Sequence, residues 1–386
     1  MLLKPALILM AALLVGCANT PTVPPPATIF QDALFAPPAQ PIRAADVFAF
    51  TPAMQDYLAR QVKPQLRLRG QRQGLVDALY TRGQLKLDYD TASTRNAAEA
   101  FEARSGNCLS LVIMTGAFAK QLGLTVRFQS VFVEEAWSRS AGLAFLSGHV
   151  NLTLGASPRD LQGIAFGSDL LTVDFVPAES IRRQRVRVIE EATIVAMYMN
   201  NRAAENLNDG NVDEAYWWAR EALQQDPKYT TAFNTLGVIY RRHGNSAAAE
   251  QALRHLLAQE PANVQALSNL VLVLKDQSRL PEADVLQAQL LHLQPVPPFK
   301  YFDEGLLAMQ KGAYQEAKRL FEKEIARSAY FHEFYFGLAM ANYGLGDLPA
   351  ARKALTLAAE NSTTRDSHQL YTAKLAWLKA QRPASH

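Results

Sequence analysis

Residues 230–263 read TTAFNTLGVIYRRHGNSAAAEQALRHLLAQEPAN. Two apolar stripes of helical spacing flank a glycine, and the stretch closes on a proline. Its landmarks are Leu236, Gly237, Tyr240, Gly244, Ala249 and Pro261, and several return at intervals of 34 residues. Ala215, Ala249, Ala283, Ala317 and Ala351 keep that period, as do Pro227, Pro261 and Pro295. Gly210, Gly244, Gly312 and Gly346 keep it too, with Ser278 in the missing place. A small residue lets paired helices approach closely, glycine serves the turn between them, and proline ends the second helix. Self-similarity at this period is the mark of a stacked repeat array.

Working outward, five such units run from about 196 to 365. The first and third are degenerate, and the last two lack the closing proline. The amphipathic stretch Ser367 to Gln381, within a terminal segment 366–386, is expected to cap the open end of the stack. The pattern resembles the tetratricopeptide repeat. That resemblance implies an all-α solenoid whose concave groove takes a protein or peptide partner.

Upstream, residues 46–190 mix two patterns. Thr51 to Val62 and Gln71 to Arg82 read as helices, with Pro64 as a stop for the first. Asn96 to Arg104 reads as a short helix. Leu109 to Leu122 reads as a longer one, closed by Gly123. Thr125 to Val133, Gly148 to Leu154 and Leu170 to Phe175 read as strands. Helices followed by strands predict an α+β unit.

Within it, Cys108 follows Gly106-Asn107 where a polar turn gives way to an apolar helix. A thiol in the first turn faces free backbone N–H groups and the positive end of the helix dipole, which favours the thiolate. The competing reading is a buried cysteine packed beneath the helix. A thiolate nucleophile needs a base and the base an orienter. His149, in SGHVNLTL, is the one histidine of this unit. Asp174, in LLTVDFVP, is an acid set among apolar strand residues, where a charge is costly unless paired. Asp169 and Asp160 have weaker claims because their surroundings read as loop. Gln129 could donate to an oxyanion or be a strand-surface glutamine. Asn107 could do the same or simply cap the helix. Trp137 falls in EEAWSRSAGLAF, which reads as a loop.

R-x-G-N-C before a long helix, the Leu-Gly-Leu helix end, and His then Asp on successive strands resemble the transglutaminase-like superfamily of papain-related folds, over roughly 96–176. The resemblance implies a triad in which Cys108 is nucleophile, His149 general base and acid, and Asp174 orienter, acting on amides. The chain departs from that pattern at Asn151, where many members carry tryptophan two places after the histidine.

The N-terminus MLLKPALILMAALLVGC has one lysine and a short apolar run, the layout of a signal peptide rather than a bilayer span. Leu14-Val15-Gly16-Cys17 resembles the bacterial lipoprotein signal (residues 1–17), which implies a lipid on Cys17. Ala18 after it suggests the periplasmic face of the outer membrane. With Cys17 lipidated, Cys108 has no intramolecular partner, because the chain has 2 cysteines. Residues 18–45 are dense in proline and read as an extended, poorly packed tether.

A net charge of +3 with 19% charged residues gives no footprint for nucleic acid. Two arginine clusters, Arg67/Arg69/Arg72 and Arg182/Arg183/Arg185/Arg187, read as solvated surface or junction pairing, with anionic lipid or an acidic partner as the alternative. No metal-ligand spacing and no glycine-rich phosphate loop occurs, so no cofactor is expected. The expected fold is an α+β transglutaminase-like domain followed by an all-α tetratricopeptide-repeat solenoid. The expected function is a lipid-anchored cysteine peptidase or amidase whose repeats bind substrate or partner. The alternative is a non-catalytic assembly scaffold of the cell envelope.

Overall fold

The computed structural model describes residues 27–80, 88–89, 93–131, 137–140, 143–146, 148–155, 170–175, 185–329, 331–362 and 364–380. Cys17, Asp160, Asp169, Arg182, Arg183, the signal segment and the start of the expected tether lie outside them.

Thr51 caps α1 (Pro52–Tyr57), its hydroxyl accepting the Met54 N–H at 3.3 Å. Pro64 does not stop this helix. A π-turn, Leu58–Val62, leads without a break into α2 (Lys63–Arg69), so Pro64 lies inside a continuous helical run just after the widened turn. The break comes at Gly70, with φ 79°, and α3 (Gln71–Tyr80) folds back on α2. In α4 (Ala97–Ala103), Asn96 and Glu99 form a reciprocal capping box. Next comes α5 (Cys108–Gln121), whose residues from Leu109 to Ala119 are all buried. The Gly123 and Leu124 N–H groups close its last turn on the Lys120 and Ala119 carbonyls.

A short parallel pair, β1 (Asp88–Tyr89) and β2 (Ser105–Gly106), precedes that helix. The main sheet is built from β3 (Thr125–Val131), β6 (His149–Gly155), β7 (Leu171–Val173) and β8 (Val186–Ile189), in the order β7-β6-β3-β8 and antiparallel at every pairing. α5 lies against β6 and β3. One sequence expectation changes here, and one strand is added to those expected. Trp137 opens a strand of a hairpin, β4 (Trp137–Ser140) with β5 (Leu143–Leu146), rather than sitting in a loop. The second arginine cluster runs into an edge strand, β8, because Val186, Val188 and Ile189 supply β-formers between the charges.

The remaining helices pair. They are α6 (Glu191–Asn208) with α7 (Val212–Gln225), α8 (Thr231–Arg242) with α9 (Ser246–Gln259), α10 (Val264–Asp276) with α11 (Leu280–Leu293), α12 (Lys300–Gln310) with α13 (Tyr314–Arg327), and α14 (His332–Gly344) with α15 (Leu348–Glu360). A final helix, α16 (Arg365–Ala380), packs on α15 and buries Tyr371 and Leu378, as a cap should. All five periodic alanines are fully buried between helices. The turn at the glycine period is left-handed throughout, φ 70° to 88° at the four glycines and 61° at Ser278. Ser278 therefore adopts the glycine conformation rather than abolishing the turn.

First helices of neighbouring repeats touch one another, α6 with α8, α8 with α10 and α12 with α14, while second helices are further apart. The inner curve of the stack is thus the first-helix side. The core is continuous from Ile29 through the sheet unit to Ala283; a separate core starts at Phe299 and a third at Ala339. The interruption falls on Pro295-Val296-Pro297-Pro298-Phe299, and α11, just before it, buries only Ala283.

The expected loose tether is corrected over its described part. Residues 28–39 form a strap across α7 and α9, on the second-helix side. Ile29 and Phe35 are buried, and the Phe35 ring stacks on Tyr216 at 4.0 Å, nearly parallel. Tyr240 Oη donates to the Ile29 carbonyl at 2.6 Å and accepts the Gln31 N–H at 3.0 Å. Tyr216 and Arg220 both hold Asp32, and Trp217 Nε1 donates to the Ala36 carbonyl. Proline density predicted an extended chain; the strap instead takes two short 3-10 turns, Ala27–Ile29 and Asp32–Leu34, as it crosses the helices. The sequence pattern did not reveal the aromatic seat waiting for it nearly two hundred residues away.

Candidate cysteine–histidine–aspartate centre

Cys108 is the first residue of α5 and is half-buried. The helix begins there because Asn107, extended at φ −73°, accepts the Ser110 N–H on Oδ1 at 2.9 Å. Its Nδ2 donates to Thr94 Oγ1 at 2.9 Å. Both ends of the Asn107 amide thus serve the cap, which is the second of the two roles open to it in the sequence.

His149 opens β6 and is 7% exposed. Asp174 follows β7 directly. In the β6–β7 ladder Leu152 faces Val173 and Thr153 faces Thr172, so continuation of the register sets Asp174 beside Asn151, on the face that also carries His149. His149 Nε2 lies 2.7 Å from Asp174 Oδ1. The Cys108 thiol stands near enough to the ring to act on its charge. Burial alone would depress the His149 pKa. Hydrogen bonds to Asp174 and Cys108, with the charges of both, outweigh burial and raise it to about 9. The three residues picked from sequence are therefore brought together, with His149 set between Cys108 and Asp174.

Sequence reasoning treated Asn151 only as a departure from a family pattern. The structure gives it a task. Its Nδ2 donates to Asp174 Oδ2 at 2.7 Å, so the two carboxylate oxygens are held by two different residues of one strand. Asn151 is buried, and its Oδ1 has no partner among the described residues. The signal was there: His149 and Asn151 are two apart on a strand and must share a face. Gln129 stands opposite Asn151 in the β3–β6 ladder, half-buried on the same face. On the far side of the sheet, Phe175 packs on Tyr80 at 5.2 Å, and Tyr80 shares a short hydrogen bond with Thr115 of α5. This ties the Asp174 segment to the helix that carries Cys108. Among the described residues no group of three or more metal-ligating side chains comes together, and no helix is long and apolar enough to cross a membrane.

Comparison with known proteins places the repeats. The tetratricopeptide-repeat family profile matches residues 234–290 and 302–366. The type IV pilus assembly protein PilF of Pseudomonas aeruginosa is 30% identical over 121 residues, 31% of this chain and 48% of that protein. A TPR repeat-containing protein of the same organism is 29% identical over 126 residues, 32% of this chain and 21% of that one. The chain thus spans about half the length of the first of these relatives and about a fifth of the second. Among solved structures, P. aeruginosa PilF aligns with 51% of this chain and 96% of its own at 22% identity and a TM-score of 0.27. Yeast Tom70 aligns with 48% and 40% at 16% identity and a TM-score of 0.34. With its 34-residue period, its buried alanines and this profile, the C-terminal half of the chain is a tetratricopeptide-repeat solenoid.

Proposed function

We propose that this chain is a docking scaffold of the bacterial cell envelope, held to the membrane by a lipid on Cys17, whose repeats seat a protein or peptide. The repeat array carries this reading: stacked helix pairs with an inner curved face are built to bind polypeptide. Similarity to a pilus assembly protein over 31% of the chain supports it.

A second reading is favoured by one observation, the bond of His149 to Asp174 with the Cys108 thiol acting on the same ring. On this reading the unit before the repeats is a transglutaminase-like cysteine centre. Cys108 as thiolate attacks an amide carbonyl, the resulting thioester retains the acyl group, and His149 protonates the departing amine. Water activated by the same imidazole then releases the acid and restores the thiol. An amine in place of water would make the centre a cross-linking transferase; no feature for holding an amine favours that. Asp174, itself held by Asn151, keeps the ring oriented throughout. The repeats would present the polypeptide whose amide is attacked.

One experiment separates the readings. Iodoacetamide labelling of Cys108 would be followed against pH in the full chain carrying Cys17→Ser, where it is the sole thiol. A catalytic centre predicts labelling that persists well below the ordinary thiol range near about 8.5 and is lost in His149→Ala. Slow labelling, ordinary in its pH dependence and indifferent to that substitution, leaves the scaffold alone.

A further inference from the structure

Thr94 is 1% exposed and lies between the cysteine unit and the first repeat helix. Its hydroxyl receives Asn107 Nδ2 at 2.9 Å from one side and Asn201 Nδ2 at 3.2 Å from the other. Its backbone N–H donates to Glu205 Oε1 at 2.6 Å, and its carbonyl accepts from Arg202 Nη1 at 3.3 Å. Asn201, Arg202 and Glu205 all belong to α6. The next residue, Arg95, donates its N–H to Ser110 Oγ at 2.8 Å, and that hydroxyl in turn donates to Asn107 Oδ1 at 2.9 Å. Every polar atom of Thr94 is thus engaged, three of the four contacts coming from one helix, and the remaining one goes to the residue that starts the Cys108 helix. A buried residue so fully bonded fixes the position of whatever hangs from it.

We propose that Thr94 is a positioning residue for Cys108, and that through it α6 forms part of the nucleophile's support. The proposal rests on the cysteine-centre reading above. It adds that the repeat array is joined to the nucleophile by hydrogen bonds, not merely by the polypeptide that connects them. The Asn107 amide is held in the one orientation that caps α5, and the Cys108 side chain, one residue on, is thereby aimed at His149. Loosening that amide lets the first turn of α5 rotate, and displacements of an ångström at a reacting atom cost large factors in rate.

The test uses the full chain with Cys17→Ser and reads the rate and pH profile of Cys108 alkylation by iodoacetamide. Thr94→Val keeps the shape and removes the hydroxyl; Asn201→Leu removes the α6 donor alone and leaves Asn107 intact; Thr94→Ser keeps the bonds. Both disruptive variants should slow labelling at pH 7 by roughly ten-fold and move the profile towards that of His149→Ala. Thr94→Ser should restore the parent profile. Circular dichroism establishes that each variant is folded, and Asn201→Leu serves if Thr94→Val is not. Parent rates and profiles in folded Thr94→Val or Asn201→Leu, with His149→Ala still slow, overturn the positioning role while leaving the cysteine centre standing. Labelling indifferent to His149→Ala removes both.

Discussion

In the repeat array, contacts reach about one unit along the chain. Asn269 bonds Asn234 and Arg241 pairs with Asp276, each 35 residues apart. The unit before it is assembled otherwise. β3 sits between β6 and β8, taking one neighbour from about 25 residues on and the other from about 60, so no piece of the sheet stands on local contacts. The strap is more extreme, with hydrogen bonds spanning 175 to 223 residues. A stack of near-identical units should fail locally; a unit closed by distant contacts should fail as a whole. That contrast can be attacked directly.

The largest expected loss is at the strap. Phe35→Ala removes a buried ring stacked on Tyr216 and leaves a cavity between α7 and the end of α8, at a cost of about 3–5 kcal/mol. Because the core from Ile29 to Ala283 is continuous, its urea melt should show the sheet unit and first repeats unfolding together at lower midpoint. A midpoint within error of the parent would mean the strap is an attachment rather than part of that body.

A smaller effect separates the two regions by pH. The folded His149 titrates near 9 against an ordinary value near 6.5. A raised pKa stabilises fully below the unfolded value, and the contribution disappears as pH rises through the folded one. The shift corresponds to roughly 3 kcal/mol. The parent should therefore lose stability relative to His149→Gln between about pH 6.5 and 9, read as converging urea midpoints. Midpoints that stay parallel over that interval would contradict the bonded imidazolium.

The smallest is confined to the last repeats. A Cβ on Gly305 would lie 2.6 Å from Phe321 Cε1, so Gly305→Ala forces that ring to shift and should cost about 1–3 kcal/mol. Phe321 belongs to the separate core that begins at Phe299. Differential scanning calorimetry should show a low-temperature shoulder, and Cys108 labelling should be unchanged. A single lowered transition would join the cores that the Pro295–Phe299 segment divides.

The unequal reach of contacts also explains what could be read in advance. Ala249 and Gly244 are legible because each recurs and its partner is near in sequence. Cys108, His149 and Asp174 were legible for a chemical reason: a thiol at a helix start, and a histidine and an acid inside apolar strands, have few bland explanations. Thr94 and Asn151 carry no such mark, since a threonine in a loop and an asparagine on a strand are ordinary until their partners are seen. Phe35 was hidden by its neighbours, because Pro37 and Pro38 describe a conformation and not a destination. Pro64 misled for a related reason: a proline removes a helical N–H, yet just after the π-turn the helix runs on past it.

The strap has a consequence in time. It is made early, yet the aromatic residues that receive it are made some two hundred residues later. Until Tyr216 and Tyr240 emerge, Phe35 and Ile29 have no burial place, and the chain must hold two apolar side chains in waiting while the sheet unit forms around α5. Closing a loop of that length adds little to its final cost but delays its reward. During synthesis, the seating of the strap on the first two repeats is therefore a late event, and it encloses the cysteine unit within a loop already folded.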